Sequence, residues 1–192
     1  MRKLQIIDEA FKLFARQGYG STTMQQIGDA VGLDKSSLYV HFKNKSDIFT
    51  VILDKELQSY NHGVMDTALE SGNFKEVSHS ILINTLKYFS DKDKLLFWKH
   101  VMLMPNNGTF VEIAEQTTNA LYQLNTSFSE KLWAIISHTD DPLQKHRMSL
   151  CLFIMAQGLM DWLVLRDKVE PKDIDDAMYI CSNILNTAKL FN

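Results

Sequence analysis

Two helix-start signals flank a single glycine near the N-terminus, and this arrangement limits the fold more than any other feature of the chain. Thr22, with Gln25 at its third following position, reads as a capping box for a helix over residues 23–31. Gly32-Leu33 comes next, and glycine after a helix readily takes the left-handed conformation that reverses the chain. Asp34 suits the N-cap of a helix over residues 35–42, and Asn44, with Asp47 at the third position, suits that of a fourth. Upstream, Ile7, Ala10, Phe11 and Phe14 share one face of a helix over residues 3–17, which stops at Gly18-Tyr19-Gly20. The pattern predicts a three-helix unit followed by a connecting helix that reaches about Ala68.

The remainder carries the same grammar. Asn73 with Glu76, Thr109 with Glu112, and Asp141-Pro142 with Gln144 repeat the start signal, and Pro171 fits the first turn of a last helix. Pro105-Asn106-Asn107-Gly108 reads as a loop. From Phe110 through Ile113, Thr117, Leu121, Leu124 and Phe128 to Leu132, helical spacing predicts one long helix. Gly and Pro number only 8 and 3 in 192 residues, of which 45% are hydrophobic, so turn-rich β architecture is disfavoured and a core is available. The expected fold class is all-α: an N-terminal helix-turn-helix domain over residues 1–46, then a helical domain over residues 47–192.

Several function classes lack their residues. Six histidines show no metal spacing, and neither a Gly-x-Ser-x-Gly elbow nor a phosphate-cradling glycine loop occurs. No catalytic residue, metal or cofactor is expected, and an enzyme is disfavoured. Cys151 and Cys181 lie far apart in apolar stretches and read as reduced thiols. Asp8 and Glu9 interrupt any export signal, while Gln157, Gly158 and Asp161 break the apolar stretch Met148–Leu165, so no membrane partner is expected and the cytoplasm fits best.

Residues 1–50 hold seven Lys/Arg against five Asp/Glu, although the whole chain carries −3. The basic part therefore comes first, with the sign a phosphate-binding module needs. Two short helices joined by a tight glycine turn let the second enter a major groove while the first braces on the backbone. Ile27, Val31, Leu38 and Phe42 supply the pair's inner face, leaving Lys35, Ser36, Ser37, Tyr39, His41 and Lys43 outward. A cation, small hydroxyls and polar-tipped rings suit phosphates and base edges. Lys45 stands in the first turn of a helix, where a cation opposes the macrodipole, and a bound phosphate would relieve that conflict.

The stretch Gly18-Tyr19-x-x-Thr22-Thr23-Met24-x-x-Ile27-x-x-Ala30-Val31-Gly32-Leu33-x-Lys35-Ser36-Ser37-Leu38-Tyr39-x-His41-Phe42-x-Asn44-Lys45 closely resembles the DNA-binding signature of TetR-type bacterial repressors. It departs at Gly28, where that family usually has alanine, at Asp34 and at Ser46. The resemblance implies phosphate contacts from Thr22 or Thr23, Lys35, Tyr39, His41 and Lys45, with base reading by Lys35, Ser36 and Ser37. It implies a homodimer on a palindromic double-stranded DNA operator, and release by a small-molecule effector bound in the C-terminal domain. A helical enzyme or interaction module without DNA binding is the rival, against which Lys35, Tyr39 and Lys45 stand together.

For the pocket, Phe97, Trp98, Met102, Met104, Tyr122, Phe128, Trp133, Met155 and Trp162 offer large adaptable side chains suited to a hydrophobic or aromatic ligand, with His100, Asn125 and Gln157 as polar partners. For the dimer seam, Met148–Leu165 is apolar around most of its circumference, and a last helix offers a second stripe. Met148, Cys151, Met155, Gly158 and Leu159 on the first, with Ile174, Met178, Cys181 and Leu185 on the second, are the expected interface.

Overall fold

The cap residues read from the sequence place most of the helices correctly in the computed structural model, which describes residues 2–68, 74–104, 113, 115–119, 141–166 and 170–187. Among these the regular elements are helices: α1 (Arg2–Ser21), α2 (Met24–Ala30), α3 (Lys35–His41), α4 (Lys45–Tyr60), a π-helical turn (Asn61–Asp66), α5 (Phe74–Phe89), α6 (Lys92–Met102), α7 (Pro142–Val164) and α8 (Pro171–Thr187). Asp34 Oδ1 accepts the Ser37 N–H at 2.7 Å at the start of α3. Asn44 Oδ1 accepts the Asp47 N–H at 2.7 Å as the expected cap of α4, and Asp47 Oδ2 accepts the Lys43 N–H at 3.2 Å. Asp141 caps α7, and Pro142 and Pro171 are the first residues of their helices.

Three readings change. The capping box on α2 uses Thr23 with Gln26, not Thr22 with Gln25. The connecting helix leaves α-geometry after Tyr60 and continues through the π-helical turn. For α6, no start signal was legible: the Ser90 hydroxyl donates to Leu86 O at 2.7 Å and so closes α5 instead of opening α6. The Pro105–Gly108 loop lies outside the described residues, as does most of the predicted long helix, although residues 113 and 115–119 are helical. No helix among the described residues is long and apolar enough to cross a membrane.

The chain forms two compact units, one from Met1–Gln58 with Lys92–Leu121, the other from Ser59–Asp91 with Tyr122–Asn192. These limits are cut by packing, whereas the boundary after residue 46 marks the end of the DNA-binding segment and remains a proposal. In the first unit α1 packs on α6 and α2, and α2 on α3. Its centre is aromatic. Phe49 of α4 stands 5.5 Å from Phe14, 5.0 Å from Tyr19 and 5.8 Å from Phe97, ring centre to ring centre. Phe97 also meets Phe11 at 5.3 Å.

In the second unit α5 packs on the π-helical turn, α7 and α8. Ile81, Leu82 and Leu86 of α5, Leu152, Met155, Leu159 and Met160 of α7, and Met178 and Cys181 of α8 are buried there. Tyr60 lies within 5.2 Å of Tyr88 and 5.8 Å of Phe89, ring to ring. Burial pushes its phenol up to about 12, with the Thr85 hydroxyl pulling slightly the other way. Keeping that phenol neutral stabilises the fold fully below an ordinary tyrosine pKa of 10.0, and the contribution disappears as pH rises through about 12. An ultraviolet titration is expected to show a late-ionising phenol that Tyr60→Phe removes; a titration unchanged by that substitution would contradict the burial argument.

A candidate nucleic-acid interface

Local chemistry fixes α3 first. Asp34 accepts both the Ser37 N–H and, at 2.8 Å, the Ser36 hydroxyl. These bonds, the Ser37 N–H foremost, hold its carboxyl below the usual range. Leu38 and Phe42 are buried and anchor one side of the helix. With 3.6 residues per turn, the opposite side carries Ser36 and Val40, flanked by Lys35 and Tyr39, and Lys43 follows the extended C-cap Phe42. Lys35, Ser36, Tyr39, Val40 and Lys43 are all exposed, while Ser37 and His41 are half-buried. The Lys35 ammonium stands 6.0 Å from the centre of the Tyr39 ring, so the two project together.

The turn before α3 is tight. Gly32 sits at φ 66°, and the Leu33 N–H donates to Gly28 O at 2.9 Å. A Cβ at Gly28 would stand 2.9 Å from Leu33 O. Glycine at this position therefore answers to the carbonyl folding back over α2, not to a need for a looser helix.

Two of the expected phosphate contacts turn inward. Thr22 is fully buried, and its hydroxyl donates to Gly18 O at 2.8 Å. It closes the end of α1, where Gly18 already leaves helical geometry at φ 77°. The Thr22 hydroxyl is thus unavailable to DNA. Its neighbour Thr23 is exposed, although its Oγ1 accepts the Gln26 N–H as the cap of α2.

Lys45 is half-buried, and its ammonium donates to Tyr19 O at 2.7 Å and to Thr22 O at 2.6 Å. It also lies 4.1 Å from the centre of the Tyr19 ring. The cation in the first turn of α4 is relieved by carbonyls at the C-terminal end of α1, not by an external anion. Burial depresses its pKa below the ordinary lysine value. Lys45 pins the connecting helix to the junction between α1 and α2, and its contact with phosphate stays a proposal.

Two cations were missed. Arg2 reaches Val31 O at the end of α2 at 3.5 Å, and the Lys3 ammonium stands 5.1 Å from the ring centre of Phe42 at the end of α3, so the start of α1 carries charge to the C-terminal ends of both helices. Val40 was also overlooked, although the buried pair Leu38 and Phe42 points to it as the residue on the far side.

The expected pocket residues fall in both compact units. Phe97 and Trp98 are buried in the first, where Phe97 packs between Phe11 and Phe49, and Met102 is half-buried there. Met155 is buried in the second, where Trp162 is half-buried with the Arg166 guanidinium 4.8 Å from its ring centre. Tyr122, Phe128 and Trp133 lie outside the described residues.

Part of the expected dimer stripe packs within the protomer. Met155, Leu159, Met178 and Cys181 are buried within the second unit. The large apolar residues left outward include Leu150, Phe153 and Ile154 on α7, with Ile154 59% exposed, besides Leu143 and Val164 near its ends, and Tyr179 and Ile180 on α8. Gly158 is exposed with open space beside it, and Cys151 is half-exposed. The side chains of Met148, Ile174 and Leu185 lie outside the description. Both cysteines are free, and burial pushes both thiols up.

Residues 6–52 match the family model for bacterial regulatory proteins of the tetR family. The HTH-type transcriptional regulator AcrR of Shigella flexneri is 36% identical over 85 residues, which span 43% of this chain and 39% of AcrR. The biofilm operon icaADBC HTH-type negative transcriptional regulator IcaR of Staphylococcus epidermidis is 25% identical over 143 residues, 74% of each chain. Among solved structures, the TetR family transcriptional regulator PfmR from Thermus thermophilus superposes with a TM-score of 0.67 at 21% identity, over 94% of this chain and 93% of its own. AibR, solved in complex with isovaleryl coenzyme A and operator DNA, gives 0.63 at 17% identity, over 93% of this chain and 96% of its own. At such identities these structures speak for the shared fold.

Proposed function

We propose, from the match of residues 6–52 to the tetR family of bacterial regulatory proteins, that this chain is a transcriptional repressor of that family, dimeric on its operator and released by a small hydrophobic or aromatic ligand. The observation that carries the reading is α3: a capped helix, anchored by Leu38 and Phe42, that presents Lys35, Ser36, Tyr39, Val40 and Lys43 together to solvent. Lys35, Tyr39, Lys43 and the Thr23 hydroxyl meet phosphate, with Arg2 and Lys3 at the margin; Ser36, Ser37 and the exposed edge of His41 face the bases. AcrR is named an HTH-type transcriptional regulator and IcaR an HTH-type negative transcriptional regulator.

Dimerisation follows from two needs. The apolar strip Leu150, Phe153, Ile154 on α7, with Tyr179 and Ile180 on α8, is costly to leave in water, and a second copy of the same strip across a two-fold axis covers it. Two recognition helices so related read half-sites whose centres lie about 34 to 36 Å apart, or a multiple of that. The ligand acts by preferring the dimer conformation whose α3 spacing does not match the operator. AibR is described with both isovaleryl coenzyme A and operator DNA, which supports a small-molecule effector without indicating its class here.

Fluorescence anisotropy on duplexes from the region upstream of the protein's own gene tests the proposal. Affinity is expected to fall steeply with salt, and Lys35→Ala to make the slope of log affinity against log salt shallower by about 0.9. Absence of salt-sensitive affinity for any duplex would sink the reading. Lys45→Met separates the two roles considered for that residue. Loss of two charge-assisted bonds from a half-buried ammonium is expected to lower stability to urea by about 1 to 2 kcal/mol, with the salt slope unchanged. A slope shallower by about 0.9 at full stability would instead place Lys45 on phosphate.

A further inference from the structure

Val40 lies opposite the buried side of α3: Leu38 and Phe42 are 0% and 5% exposed, whereas Val40 is 82% exposed. A β-branched apolar residue is a poor choice for the last turn of a solvated seven-residue helix, because it lowers helix propensity and gains nothing from water. Its neighbours sharpen the contrast. Ser36, one turn earlier on the same side, is small enough to let α3 approach a surface closely, and Lys35 and Tyr39 flank the strip with groups that suit phosphate. The centre of the outward face is therefore small and apolar while its edges are polar and cationic.

We infer that Val40 reads thymine, its branched side chain meeting the C5-methyl group that thymine presents in the major groove. The inference rests on the DNA-binding function proposed above and adds a determinant of sequence choice to it. Among the four bases only thymine offers an apolar group in that groove. A valine side chain is stiff at χ1, so little rotamer freedom is lost when it is fixed against the methyl. Polar groups on α3 accept or donate to several base edges, whereas this contact distinguishes thymine from cytosine at the same position.

The test uses the full-length protein and a duplex selected from a random-sequence library by binding to it. Each thymine of the selected site is replaced in turn by deoxyuridine, which removes the methyl and nothing else. Affinity is expected to fall about fourfold at one position per half-site and about fifteenfold when both half-sites are altered together, as the loss of one buried methyl predicts. Val40→Ser should bind thymine and deoxyuridine duplexes equally, and Val40→Ile should restore the discrimination. The inference is overturned if the wild-type protein is indifferent to deoxyuridine throughout, or if Val40→Ser keeps the full penalty. Either result leaves DNA binding itself intact, whereas failure to enrich any duplex would remove both readings.

Discussion

Arginine in place of Ile154 is expected to yield a folded monomer whose affinity for the operator is lower by about 10² to 10⁴, the range over which a second linked site adds to the first. Ile154 is 59% exposed on α7, beside Leu150 and Phe153, so the substitution disturbs no packing within the protomer. In a self-complementary interface the same residue appears on both copies, and two guanidinium groups would be desolvated close together without partners. Sedimentation velocity gives the oligomeric state and anisotropy the affinity. A variant that stays dimeric would remove the α7 strip from the interface. Met155→Arg serves as the contrast: its side chain is buried within the second unit, so the expected result is loss of folding and not clean dissociation.

Phe49→Ala carries the second large effect, a loss of about 3 to 5 kcal/mol in stability. The ring is 1% exposed and lies against Phe14, Tyr19 and Phe97, so alanine leaves a cavity lined by side chains of α1, α4 and α6. A small protein has a total of about 5 to 15 kcal/mol to lose, and the variant should be partly unfolded near physiological temperature. Urea and thermal unfolding followed by circular dichroism measure the change. Phe49→Leu retains most of the volume and should cost under about half as much. A loss below about 1 kcal/mol for the alanine variant would mean that the cluster relaxes to fill the space. Because Phe49 follows Lys45 by one helical turn on α4, this cluster and the Lys45 pin hold the same stretch of helix on α1.

Helix starts were legible because a cap is a conversation between residues three or four positions apart. Asp34, Asn44 with Asp47, and Asp141 act where their sequence neighbours indicate. The box on α2 was misread by one position for a reason that is not local. Thr22 and Thr23 are equivalent as caps, and the choice falls to Thr23 because the Thr22 hydroxyl is held by Gly18 O at the end of α1. Lys45 repeats the lesson at longer range. Its position in a first helical turn correctly signalled an electrostatic conflict, but the acceptors that resolve it belong to Tyr19 and Thr22, far back in the chain.

The segment with the greatest ambiguity was α7. Its residues are apolar on nearly every side, so periodicity alone had no basis for choosing an inner face. Packing against α5 makes the choice, burying Leu152, Met155, Leu159 and Met160 and leaving Leu150, Phe153 and Ile154 outward.

The amino-acid sequence by itself determined most of the helix starts, the tight turn between α2 and α3, and the polar side chains that α3 offers, since each depends on contacts within about one helical turn. Tertiary structure alone decided which of two adjacent threonines faces outward, what neutralises Lys45, and which strip of α7 remains exposed. Those outcomes depend on which distant carbonyl or apolar face arrives beside a residue, and spacing along one helix carries no record of that.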